Sequence, residues 1–93
     1  MKAENYRQEI PKTGIKVGVK IVLIPRDEYT GGDYPISLER ELKGRPLTVE
    51  SIYFEEYLEG GEFLIKFSEL PRNKDGLPFM YRAKFFKVHK NIA

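Results

Sequence analysis

The sequence predicts an all-β fold, a small five-stranded coiled sheet with one short helical turn in its long first loop. Three observations carry this expectation. β-branched and aromatic residues dominate the apolar stretches, alternation with a period of two recurs along them, and Gly or Pro interrupts the chain too often for a long helix. The 93 residues suit one domain, and 41% hydrophobic with 32% charged residues is the balance of a globular chain rather than a disordered one. We expect a flexible N-terminal arm over residues 1–13, a single β domain over 14–90 and a tail over 91–93.

The elements follow from local chemistry. Ile10-Pro11-Lys12-Thr13-Gly14 is punctuation, with Pro11 fixing its own φ and Gly14 permitting a turn. Ile15 to Ile24 reads as the first strand, ended by Pro25. Val19, Ile21 and Leu23 share one face, and Lys20, Val22 and Ile24 the other. A polar loop with Gly31-Gly32 follows. Ile36 to Lys43 is the helix-like patch, because Leu38 and Leu42 are spaced four apart and Gly44 stands where a helix would stop. The second strand runs from Pro46 to Phe54. Leu47 and Val49 share one parity while Ile52 and Phe54 share the other, which is the mark of a β-bulge. Gly60-Gly61 signals a hairpin into the third strand, where Phe63, Ile65 and Phe67 alternate with Leu64, Lys66 and Ser68. Asp75-Gly76 favours a turn. The last strand or strand pair covers Phe79 to Val88, with a break expected near Lys84–Phe85 because Tyr81 and Ala83 differ in parity from Phe86 and Val88.

From Val17 to about Val88, this order of pieces resembles the Src-homology-3-like barrels, including the small ones of bacterial and phage proteins and the KOW-type domains. The carriers are Val17-Gly18 with Ile21 and Leu23, the long loop from Arg26 to Lys43, and Gly44-Arg-Pro-Leu-Thr-Val49. Phe63-Leu-Ile-Lys-Phe67 and Tyr81-x-Ala83-x-x-Phe86-x-Val88 complete them. The resemblance implies a small near-closed barrel that manages its edges by closure, with a ligand groove bordered by the loop after the first strand. There the residues Tyr29 and Tyr34 resemble groove residues. The chain has no Trp, on which the peptide groove of the signalling members leans, so proline-rich recognition of that type is not implied.

Composition removes whole classes of chemistry. With no Cys there is no disulfide framework, thiolate zinc site or cysteine nucleophile, and the single His89 cannot make a multi-histidine metal site. His89 would need Ser37, Ser51 or Ser68 beside it for nucleophilic catalysis, and its place between Lys87 and Lys90 suits a surface residue better. Gly31-Gly32 and Gly60-Gly61 lead into acidic residues, which repel phosphate. No cofactor and no metal site is expected. No apolar run approaches a membrane helix and no signal-peptide core is present, so the expected location is cytoplasmic, without a membrane partner.

The net charge of +2 conceals two opposed stretches. Glu50 to Glu62 holds five Glu and no Lys or Arg, whereas Arg82, Lys84, Lys87 and Lys90 follow Gly76 with no acid. The leading expectation is a non-enzymatic protein-interaction module, of the kind phages and mobile elements carry, acting as monomer or homodimer. Its partner-binding residues are Tyr29, Tyr34, Asp27, Glu28 and Asp33, or an open strand edge used by β-addition. The alternative is a nucleic-acid-binding barrel using Arg82, Lys84, Lys87 and Lys90, since cations interleaved with aromatics suit single strands. A distant alternative is an enzyme using the carboxylates of Glu55-Glu56 and Glu59-Gly-Gly-Glu62, which otherwise form a solvated hairpin tip.

Overall fold

A long antiparallel hairpin forms the spine of the molecule: β3 (Leu47–Glu55) pairs with β4 (Glu62–Phe67) along its length. The computed structural model describes residues 5–56, 60–70 and 79–90. Around the spine stand β1 (Tyr6–Arg7), β2 (Lys20–Leu23), β5 (Tyr81–Arg82) and β6 (Phe86–Val88). The helix α1 (Ile36–Leu42) sits between β2 and β3, and a 3-10 turn (Ala83–Phe85) joins β5 to β6. The strand order is β5-β4-β3-β2-β6, with β1 pairing β3 off this path.

The fold is dominated by antiparallel strands with one helix, as composition implied. Two features of the expected barrel differ. The sheet holds six strands among the described residues instead of five, and the pairings do not close it: β5 and β6 stand at its two ends. The sixth strand is the N-terminal segment. Tyr6 and Arg7 oppose Tyr53 and Ile52, so β1 takes the edge of β3 beyond the point where β2 ends its pairing at Thr48 and Leu47. Within the segment expected as an arm, Tyr6 and Arg7 pair with β3, Glu9 bridges Lys16, and Ile10 joins Ile15 in the buried core.

The change of parity in β3 is a bulge. Val49 opposes Phe67, but Ser51 opposes Lys66, so exposed Glu50 is the extra residue and the side chains after it reverse faces. That reversal puts Leu47, Val49 and Ile52 into one core with Ile21 of β2 and Ile65 of β4, all at 0–1% exposure. Burial of such branched side chains is the main stabilising term, roughly 1.5–3 kcal/mol for each. Radial packing on this scale leaves the outward face to Leu64 and Lys66, both half-buried.

β2 is shorter than the ten-residue run that predicted it. Gly18 takes φ +92°, and its amide bonds the carbonyl of Val49 at 2.9 Å while the amide of Val19 turns back to the carbonyl of Lys16, so Ile15 to Val19 form an irregular lead-in. The helix stops one residue before the expected glycine. Lys43 itself takes the left-handed conformation (φ 51°, ψ 37°) and donates its amide to the carbonyl of Glu39. Leu42 is buried and Leu38 packs on the core, as their spacing required. The break expected near Lys84–Phe85 is the 3-10 turn. The turn at Asp75-Gly76, the hairpin tip 57–59 and the tail 91–93 lie outside the described residues.

Candidate functional site

An open cleft of about 720 Å³ lies where the sheet fails to close. Its volume falls within the roughly 300–1,000 Å³ of ligand-binding clefts. Among the described residues, three segments far apart in sequence build it: the turn from Ile10 to Ile15, the start of β4, and the chain from Arg82 into the 3-10 turn. Ile10, Ile15, Phe63, Ala83 and Phe86 supply its apolar lining, while Glu62, Arg82 and Lys84 supply charge.

Each wall is held by identifiable bonds. The Ile10 amide donates to the Ile15 carbonyl at 2.9 Å, closing the turn. Inside it the Thr13 hydroxyl donates to the Ile10 carbonyl at 2.8 Å and accepts from the Ile15 amide at 3.0 Å. Lys12 at the tip has φ 66°, a conformation that costs a non-glycine residue some strain. On the second wall, Gly61 (φ +76°) brings the backbone against the ring of Phe54, which packs on Phe63 with centroids 4.9 Å apart. A Cβ at position 61 would run into that ring. On the third wall, the 3-10 turn sends consecutive aromatics apart. Phe86 is buried beside Phe67, with centroids 5.0 Å apart, whereas Phe85 faces Tyr29 at 5.8 Å.

The rim is electropositive. Arg82 Nε lies 3.7 Å from Glu62, where the basic and acidic stretches meet. Lys84 sits over the ring of Phe85 at 5.4 Å, and no carboxylate among the described residues pairs with it.

Of the expected partner-binding residues, Asp27, Glu28 and Asp33 are exposed and Tyr29 and Tyr34 are half-buried. The two tyrosines touch edge to face, 5.6 Å between centroids. The Tyr34 hydroxyl donates to the Ile24 carbonyl at 2.6 Å, and burial, reinforced by Glu39, raises its pKa. The Tyr29 hydroxyl is buried with no hydrogen-bond partner among the described residues. Arg26 lies over Tyr34 and pairs with Glu39 of α1, which raises the pKa of the guanidinium further. These rings therefore cover the core as well as border the loop.

The basic residues of the nucleic-acid alternative are not gathered on one free surface. Lys87 pairs with Glu28 at 2.5 Å and Arg82 with Glu62, leaving Lys84 and Lys90 as the exposed members without a carboxylate partner among the described residues. Glu55 and Glu62 oppose each other across the β3–β4 ladder, and Glu62 turns towards Arg82. Glu59 lies outside the described residues, and among those described no three acidic or histidine side chains group as metal ligands do. The backbone amide of His89 bonds the Lys20 carbonyl at 3.0 Å, and its ring meets no serine hydroxyl among the described residues. No described helix is long and apolar enough to cross a membrane.

Sequence reasoning did not single out the cleft. Its only local signal was the pair of isoleucines flanking Pro-Lys-Thr-Gly, which read as punctuation. No protein-family model matches the chain, and neither does any curated protein or any solved structure. The class of protein therefore rests on the fold and the cleft alone: a small antiparallel β domain with an open, mostly apolar, cation-rimmed groove.

Proposed function

We propose that this chain is a non-enzymatic protein-interaction module built on a Src-homology-3-like barrel plan, with the cleft as its contact site. The observation that carries the reading is the 720 Å³ cleft, whose apolar lining from three segments carries a charged rim. Such a surface suits a partner side chain anchored in the groove and oriented by the rim. The barrel plan is supported by a long loop after β2, a bulged β3, and a 3-10 turn that brings β6 back to β2. The tyrosine loop with Asp27, Glu28 and Asp33 is a second contact region on this reading, reached through Phe85 from the same 3-10 turn.

Affinity capture from the source cell tests this, with the wild-type chain run beside Ala83→Arg, which fills the cleft, and beside Tyr29→Ala/Tyr34→Ala. The expected result is one dominant stoichiometric partner, lost with Ala83→Arg while the variant keeps its β-sheet circular dichroism. Recovery of chaperones alone, or of the same partner by the filled-cleft variant, would count against the reading.

A further inference from the structure

β5 does not run the length of β4. Arg82 opposes Leu64 and Tyr81 opposes Ile65, after which the chain leaves the ladder at Ala83 for the 3-10 turn. Glu62 and Phe63 therefore have β3 on one side, opposite Glu55 and Phe54, and no strand among the described residues on the other. Consecutive residues of a strand turn their backbone N–H and C=O to alternate sides. One residue of this pair must present both groups to the uncovered side, the unpaired edge that an added strand satisfies. The same two residues line the cleft, so a strand laid there would drop alternate side chains towards Ile15, Ala83 and Phe86. The rim sets its charge: among the described lining residues, Arg82 and Lys84 stand against one carboxylate, that of Glu62.

We propose that the cleft takes an extended, acidic peptide segment of a partner protein, added as a strand to β4 at Glu62–Phe63. This deepens the protein-interaction reading and rests on it. The partner segment has alternating β-branched or aromatic residues for the groove and an Asp or Glu placed to meet Lys84 and Arg82. β-Addition supplies sequence-independent backbone bonds, and the groove and the two cations supply the choice among partners.

The test selects random nine-residue peptides displayed on phage against the full chain, then follows the amides of the protein by NMR with the best synthetic peptide. Expected are enriched peptides with a surplus of Asp and Glu, shifts at Glu62, Phe63 and Arg82 to Lys84, and slowed hydrogen exchange at Glu62 or Phe63. Lys84→Glu should weaken the peptide by about tenfold, the effect of reversing a charge at the rim. N-methylation of one backbone amide should abolish binding at alternate peptide positions and leave it intact between them. Equal binding by every N-methylated peptide overturns strand addition, and a surplus of Lys and Arg overturns the acidic partner. Shifts confined to residues 26–34 overturn the proposal yet leave an interaction module standing. A selection without enrichment overturns both. A poly-thymidine strand that shifts the same amides more tightly than any peptide replaces the protein partner with nucleic acid.

Discussion

The 3-10 turn separates two regions that treat their aromatics in opposite ways. On one side, the loop after β2 folds Tyr29 and Tyr34 over the core, locks Tyr34 to the backbone of Ile24 and ties its charges internally through Arg26–Glu39 and Glu28–Lys87. On the other, Phe63, Ala83 and Phe86 line a groove that no segment among the described residues fills, beside Lys84, with which no carboxylate among the described residues pairs. A small domain gains most by covering apolar surface with its own loops. Where it covers one side and leaves the other open, the open side is where a partner gains most by binding.

The largest expected effect breaks both regions together. Ile52 and Ile65 oppose each other in the centre of the spine at 0% exposure. Ile65→Ala should cost about 3–4 kcal/mol, read as a lower urea midpoint with unchanged slope, and should reduce partner binding only through unfolding. A loss under about 1 kcal/mol would mean that the core is not shared.

The covered side can be resolved within itself. Tyr34→Phe removes a partly buried hydrogen bond and should cost about 1 kcal/mol. Tyr29→Phe removes a buried hydroxyl without a partner among the described residues and should leave stability unchanged or raise it by up to about 1 kcal/mol. Equal losses from the two variants would show that both hydroxyls are held alike.

A pH effect distinguishes the spine from either side. The Glu69 carboxylate loses hydration on burial, which alone raises its pKa. Hydrogen bonds from the Thr48 hydroxyl and amide, both 2.7 Å, and from Lys20 outweigh that and bring the pKa below the usual value. A carboxylate with a depressed folded pKa stabilises the fold at neutral pH. Its contribution begins to fade as pH falls past the unfolded pKa and is gone below the folded one. Glu69→Gln should therefore lower the thermal midpoint at pH 7, by a difference that shrinks as the pH falls through the acid range. The smallest effect belongs to the open side. Lys84→Glu should change stability by less than about 0.5 kcal/mol while altering partner affinity, which assigns the residue to binding and not to folding.

How much of this was legible depended on the range of the interaction. The bulge could be read because Val49 and Ile52 fall within four residues and their parity conflict has one simple remedy. The helix could be read from Leu38 and Leu42 for the same reason. β1 could not, because two exposed strand residues have no period, and Tyr6 is ordered by Tyr53, 5.3 Å away across 47 positions of sequence. The cleft was hidden for a related reason: Ile10, Phe63 and Ala83 carry no common local pattern. The acidic and basic stretches were visible as runs, but only folding shows Lys87 choosing Glu28 over the hairpin acids.

The bulge at Glu50 also bears on how this sequence could change over time. Deleting that one exposed residue would give β3 unbroken alternation and leave Leu47, Val49, Ile52 and Phe54 on the face they now share, because the pairs Val49–Phe67, Ser51–Lys66 and Ile52–Ile65 would then follow one another without a shift. Substitution of Glu50 should be tolerated, whereas its loss should straighten β3 where its other edge passes from β2 to β1. A residue fewer at this point would thus alter the bend of the sheet and not the set of side chains in its core, so related sequences that lack position 50 should still keep Val49 and Ile52 as core residues.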